Sequence, residues 1–265
     1  MTRTRSFFKR HFPFYFLVSL FIFSSISSIA QIVINEYSAA NISTLVDSDG
    51  DYEDWIELYN GGGTAVNLSG YHLSDQLNKP LKYTIPSVSI PANGFLRFFA
   101  SGKNKVAGLF IHTSFKLTQT KFEKIIFSNS FGILIDSVTI QPNQADDSRG
   151  RTTNGAATWS VFPTPSPGAS NSGAKQKYAG NPIFDPTPGF YGSTISVFIY
   201  TLEPSITIRY TLDGSTPTAA SALYSTPISV STTKVIRAKA FSSDATILPS
   251  FVESNTFFIG VTHTV

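Results

Sequence analysis

Eight consecutive residues, Asp47-Ser48-Asp49-Gly50-Asp51-Tyr52-Glu53-Asp54, hold five carboxylates, the kind of oxygen cluster that binds hard cations. An EF-hand loop begun at Asp47 has Asp49 and Asp51 in register. It puts Tyr52 where the turning glycine belongs and Leu58 where the closing glutamate belongs, so this is not an EF-hand. Two readings stay open: a calcium site of another design built on Asp47, Asp49, Asp51 and Asp54, or a solvated acidic loop ahead of a strand. Beyond Ca²⁺, nothing in the sequence calls for a cofactor. Nucleophilic catalysis needs a base, and of the four histidines only His72 and His112 lie away from the chain ends. They read as surface or edge residues, and no Gly-x-Ser-x-Gly phrase supplies a serine elbow. Ser101-Gly102-Lys103 lacks the flanking residues of a phosphate loop. The sequence therefore predicts a protein that is not an enzyme. Binding is the other route: Trp55, Tyr59 and Tyr71, with Tyr191, Tyr200 and Tyr224, fall at alternate-face or loop positions where a ring can stack on a sugar or fill a protein hot spot. Packing against a core is the competing reading of the same rings.

The elements that must carry these residues are strands. Short β-branched runs such as Ile133-Leu134-Ile135 and Val138-Thr139-Ile140 alternate with Gly, Asn, Asp and Ser clusters that leave no room for a long helix. In Asp54–Tyr59, Ile56 and Leu58 point to one face and Trp55, Glu57 and Tyr59 to the other. Farther on, Ile206, Ile208, Tyr210 and Leu212 alternate with Thr207, Arg209 and Thr211, and Ile236, Ala238 and Ala240 alternate with Arg237 and Lys239. Each pattern describes a strand with one buried face and one wet face, and Asp213-Gly214 between them signals a tight turn. Charged residues make up only 14%, and there is no cysteine, which excludes disulfides, thiol chemistry and Cys-ligated metals.

The chain has 265 residues and a net charge of +3, but that charge sits at one end. Four of the twenty basic residues (Arg3, Arg5, Lys9 and Arg10) lie in the first thirty positions, which hold no acidic residue. The remainder carries sixteen basic against seventeen acidic side chains. Nucleic acid is therefore not an expected partner. The basic start, the apolar run Phe12–Phe23 and the small residues Ser28 and Ala30 have the order of a secretory signal peptide, with cleavage expected after Ala30. Its apolar core is shorter than the roughly 20 residues of a membrane span. The expected product is secreted or held at the cell surface and does not span the membrane. A Pro- and Ser-rich stretch from Phe162 to Gly180 then divides the mature chain into two blocks, each of a size that suits one β domain.

Several phrases of the first block, in order, resemble the lamin-tail domain of secreted bacterial proteins. They are Ile32–Glu36, Asp54–Asn60, Val66–Asp75, Asp136-Ser137-Val138, Gly150-Arg151, Trp159 and Pro163–Asn171. The resemblance implies an immunoglobulin-like β-sandwich with an interaction role and no known chemistry. In the second block, Pro188–Tyr191, Ile208–Thr218 with its Arg-Tyr-Thr-Leu-Asp-Gly-Ser-Thr-Pro run, Leu223-Tyr224 and Val235–Phe241 resemble the small C-terminal β-sandwich of chitobiases and hexosaminidases. That module implies no glycosidase activity. The pair together is similar to the front of secreted proteins that continue into a kinase-like domain of the spore coat protein H family. The expected architecture is thus all-β, two tandem immunoglobulin-like sandwiches. Its boundaries are a signal peptide at 1–30, a first sandwich at 31–171, a linker at 172–180, a second sandwich at 181–260 and a tail at 261–265. The expected role is an exported binding, adhesion or spacer protein with a protein or glycan ligand at the cell surface. The alternative is an accessory region of a kinase-like or carbohydrate-active enzyme.

Overall fold

The computed structural model describes Met1 and residues 32–261; the expected signal peptide and cleavage point lie outside them. The described residues form strands, turns and loops without a helix, and so contain no helix able to cross a membrane. The protein is all-β, and both of its domains are immunoglobulin-like β-sandwiches.

In the first domain a five-stranded antiparallel sheet runs in the order Trp159–Phe162, Ser148–Arg151, Ile32–Ser38, Trp55–Asn60, Phe95–Phe99. It packs on a four-stranded sheet ordered Leu134–Thr139, Lys124–Ser128, His72–Ser74, Tyr83–Thr84. Between them Ile34, Tyr37, Ile56, Leu58, Leu73, Phe98, Ile125 and Phe127 make an interior closed to solvent. Ile56 and Leu58 are the pair that alternation assigns to one face, whereas Ile133 and Leu134 of the β-branched run are exposed. A β-bulge interrupts the first strand, since Ile34 pairs with Leu58 but Glu36 already pairs with Glu57. The extra residue, Asn35, lets Ile34 and Tyr37 both face the interior and turns Glu36 to the opposite face beside Glu57. The two sheets are also joined by Asp136, whose Oδ2 accepts the Ile34 N–H (2.9 Å) and an Arg151 N–H (2.7 Å).

The second domain pairs a three-stranded sheet (Ile183–Asp185, Ile195–Tyr200, Ile228–Val230) with a five-stranded one ordered Gly189–Tyr191, Glu253–Ile259, Lys234–Ser242, Ile206–Thr211, Ala222–Leu223. Phe184, Val197, Ile199, Ile208, Val230, Ile236, Ala238 and Phe257 fill the space between. The strands Ile206–Thr211 and Lys234–Ser242 do pair, but the Asp213-Gly214 turn does not join them directly. It opens a loop that returns as the short edge strand Ala222–Leu223.

The segment read as a linker is ordered by pairing at both ends. Lys175 and Val161 exchange backbone hydrogen bonds, and Lys177–Tyr178 runs parallel to Ile247–Leu248. Tyr178 closes the junction: its hydroxyl donates to Asp147 Oδ2 (2.5 Å) and accepts the Gln144 N–H (3.0 Å), and its ring meets Phe251 edge-on. Gln144 then donates from Nε2 to the Pro249 carbonyl (2.8 Å), and Arg149 lies over the Tyr178 ring.

Gly150 has close neighbours on three sides. A Cβ there would come within 2.9 Å of Asn171, 3.0 Å of the Phe162 ring and 3.1 Å of Glu36. Gly150→Ala is expected to destabilise the fold by about 1–3 kcal/mol through overpacking, measured by chemical denaturation.

Candidate functional site

Two charge clusters in the first domain carry the side chains with chemical potential. One is the acidic loop. Val46 and Tyr52 form a bridge that closes a tight turn, Gly50 takes φ +88° at its tip, and Asp47 organises the inside. Asp47 Oδ1 accepts the N–H groups of Asp49 (2.7 Å) and Asp51 (3.0 Å), and its carboxylate is buried. Asp47, Asp51 and Glu53 bring ligand oxygens within 4.8 Å of one another, the separation a metal would require. The centre of the cluster, however, holds the ammonium of Lys103. It lies 2.5 Å from Asp47, 2.9 Å from Asp49, 2.7 Å from Asp51 and 3.8 Å from Glu53. Lys105 adds a second contact to Asp49, and Lys116 reaches Glu53 at 3.3 Å.

Protonation follows this geometry. Burial pushes Asp47 up, but the hydrogen bond from Lys103 and the two backbone N–H groups bring it below the ordinary range. Hydrogen bonds from Lys105 and Lys103 lower Asp49 to about 2. For Lys103 burial alone would lower the pKa, yet hydrogen bonds to three aspartates raise it. The structure thus brings together Asp47, Asp49 and Asp51 of the four residues considered for calcium and supplies the cation from the chain itself. Asp54 does not belong to the group. Its Oδ1 takes the Asn41 N–H at 3.3 Å, burial pushes it up to about 6, and Glu53 has its place. The signal that would have identified the cation is Lys103-Asn104-Lys105, more than fifty residues downstream, where only the fold closes the distance.

The same corner contains a serine, a histidine and an aspartate. His112 is fully buried on Phe99, rather than at the surface, and His72 is nearly so. Ser48 Oγ lies 3.4 Å from His112 Nε2, but His112 Nδ1 faces Ser101 Oγ at 3.0 Å and is 3.8 Å from Asp47. Asp47 is committed to Lys103 and two backbone donors. The N–H groups of Asp49, Gly50 and Asp51 are all spent on Asp47. Those three amides are thus committed within the loop, and His112 Nδ1 has Ser101 rather than Asp47 at hydrogen-bonding distance.

The second cluster is buried under the closing Pro163–Asn171 segment. Glu36 and Glu57 face each other across paired strands, and both are 0% exposed. Glu36 accepts from the Ser148 hydroxyl (2.5 Å), the Ser166 N–H (3.0 Å) and the Ser166 hydroxyl (2.9 Å). Glu57 Oε2 accepts the Gly168 N–H (2.5 Å), and its Oε1 has no hydrogen-bond partner. Burial pushes both carboxyls up, and Glu57, beside Glu36, reaches about 8. Asn171 completes the lid, bonding the Asn35 side chain (2.9 Å) and the Arg151 carbonyl (2.5 Å). The arrangement locks the closing segment onto the sheet; it does not open onto a cleft.

The aromatic candidates divide between the two readings. Trp55 is fully buried and binds nothing from solvent, because the outer face of its strand is covered as well as the inner one. Tyr59 packs on Phe95 and Tyr71 on Phe127, while Tyr191 and Tyr224 lean on the second core. Of the six only Tyr200 stands well exposed, on the outer face of its strand with Phe198. The strongly exposed rings are others, Phe122 and Phe131, which alternation does not single out because they sit in turns.

Residues 25–142 match the Lamin Tail Domain model, and residues 186–248 match the Chitobiase/beta-hexosaminidase C-terminal domain model. No curated protein matches the chain. Both sandwiches extend past the matched residues: the first takes in the strands Ser148–Arg151 and Trp159–Phe162, the second Glu253–Ile259.

Two outcomes follow from these clusters. Because Glu57 holds its proton in the fold up to about 8 while the unfolded chain releases it near 4.5, stability falls as pH rises through that window. Glu57→Gln is expected to flatten this fall and to exceed the parent in stability at pH 8 by on the order of a few kcal/mol, read from urea denaturation at a series of pH values. Lys103→Met strips the internal cation from the acidic loop. The variant is expected to melt several degrees lower and to recover with millimolar Ca²⁺, whereas Ca²⁺ leaves the parent melting temperature unchanged.

Proposed function

We propose that this chain is an exported, non-catalytic binding and spacer protein in which two β-sandwiches are held in one mutual orientation. The observation that carries the reading is the junction at Tyr178. One side chain there bonds to Asp147 and Gln144 of the first domain, packs on Phe251 of the second and lies beneath Arg149. A flexible tether needs none of these contacts, and a spacer that presents a surface at fixed distance needs them all. Burial of Tyr178 raises its phenol pKa, and the hydrogen bond to Asp147 raises it further, so the hydroxyl keeps its donor proton at physiological pH. The non-catalytic part of the reading is supported by the Ser48–His112 geometry, where the ring nitrogen away from Ser48 faces Ser101 at 3.0 Å and lies 3.8 Å from Asp47. Export is supported by the order of charge, apolar run and small residues in the leader. Small-angle scattering of the secreted protein is expected to fit a single two-domain arrangement, and Tyr178→Ala to broaden it to many. A parent protein that itself requires a broad ensemble would defeat the spacer reading.

A further inference from the structure

The outward face of the second domain's five-stranded sheet has a charge arrangement that its own fold does not explain. Arg209 and Lys239 sit directly opposite each other in the register of Ile206–Thr211 and Lys234–Ser242, and Arg237 lies two residues along, opposite Thr211. Their strand neighbours Ile208, Ile236, Ala238 and Ala240 are buried in the sandwich, so the three cations share the other face. Across the strands such residues lie about 5 Å apart, and along a strand about 7 Å. Like charges directly opposite in an antiparallel pair repel and cost stability.

No carboxylate within 4 Å relieves that repulsion among the described residues, although ion pairs are formed elsewhere in both domains. The contacts each cation makes are to neutral oxygens. Arg209 donates to the Ser221 carbonyl (3.0 Å), Arg237 to Ser254 Oγ (3.1 Å) and the Gly214 carbonyl (2.8 Å), and Lys239 to Gln144 Oε1 (3.4 Å). The acidic groups in this part of the molecule are already engaged. Asp213, on the turn after Ile206–Thr211, is bonded to Ser215, and Asp147, which acts on Lys239 only at longer range, is bonded to Tyr178. The neutral contacts fix the guanidinium groups in place without neutralising them. Apolar side chains flank the triad, with Leu223 opposite Arg209 on the edge strand and Val235 two residues before Arg237, both well exposed.

We infer that this face binds an acidic polysaccharide, its carboxylate or sulfate groups taken by Arg209, Arg237 and Lys239 and its sugar rings resting on Leu223 and Val235. Fixed, unpaired guanidinium groups suit oxyanions in particular, since they present planar paired donors. The charge balance of the chain beyond its first thirty residues, sixteen basic to seventeen acidic, supplies no general attraction for nucleic acid. The selectivity must come from this local triad.

The inference rests on the binding half of the reading above and names its ligand class. The spacer half is tested separately by scattering, so a rigid protein that ignores acidic glycans would overturn this inference alone. The test is calorimetric titration of the full secreted chain with heparin, neutral dextran and a short DNA duplex. Heparin binding that weakens with salt, with no response to dextran and a weaker one to DNA, is expected. The Arg209→Ser, Arg237→Ser double variant is expected to lose about tenfold in affinity, while Lys79→Ser with Lys121→Ser, which removes two exposed charges from the first domain, leaves it unchanged. Should the double variant fold poorly, hydrogen exchange on the parent protein decides the question: heparin must protect residues 206–211 and 234–242. Equal loss in both double variants, DNA bound as tightly as heparin, or protection elsewhere would each overturn the inference.

Discussion

Two carboxylates, Glu36 and Glu57, sit side by side on the central strands of the first sandwich with no access to water, and much of that domain's polar architecture answers their needs. Burying an ionised carboxylate costs several kcal/mol unless donors replace its hydration. Ser148, Ser166 and Gly168 provide those donors, and Ser166 and Gly168 come from the closing segment. The segment therefore has to fold back across the sheet. Once there, it buries what would otherwise be an exposed strand face. Glu57 is left with one unpartnered oxygen, and it settles the remaining cost by keeping its proton rather than its charge.

The phrases that carry the lamin-tail resemblance are, to a large extent, the parts of this buried polar layer. Asn35 and Glu36 come from the first, Glu57 from the second, Asp136 and Arg151 from later ones, and Ser166, Gly168 and Asn171 from the last. Scattered across more than 130 residues of sequence, they converge because the β-bulge at Asn35 redirects Glu36 and because Arg151 ties the Ile34 carbonyl to Asp136. What looks in one dimension like a set of recognition motifs serves in three dimensions to attach a loop to a sheet.

The protein handles its other charges in two contrasting ways. In the acidic loop, lysines of the chain meet the carboxylates, so the cluster is neutralised from within. On the five-stranded sheet of the second domain, the cations are held by carbonyl, hydroxyl and amide oxygens, with no carboxylate within 4 Å among the described residues. A loop saturated by internal ion pairs has little electrostatic gain left to offer a ligand, while a half-buried triad without a carboxylate partner retains it. Between these regions lies Tyr178, bonded to Asp147 and Gln144.

The strand periodicities and the turn clusters determined an all-β chain, because alternation with period two is a local property that any single strand displays, while the two immunoglobulin-like sandwiches were implied by the family resemblances. The opposite-face placement of Ile56 and Leu58 against Trp55 and Glu57 was likewise legible, and so was the separation of Arg237 and Lys239 from Ile236, Ala238 and Ala240. Alternation says which residues share a face but not whether that face is later covered. Whether Trp55 was a binding ring or a core ring stayed open for that reason, and Glu57 gave no sign of its raised pKa. Which cation meets the acidic loop, how the two histidines come to be buried and which tyrosine joins the domains depended on contacts between residues far apart in the chain. Those pairings were decided only by the tertiary structure, because charge and burial act through space and the sequence records separation along the chain alone.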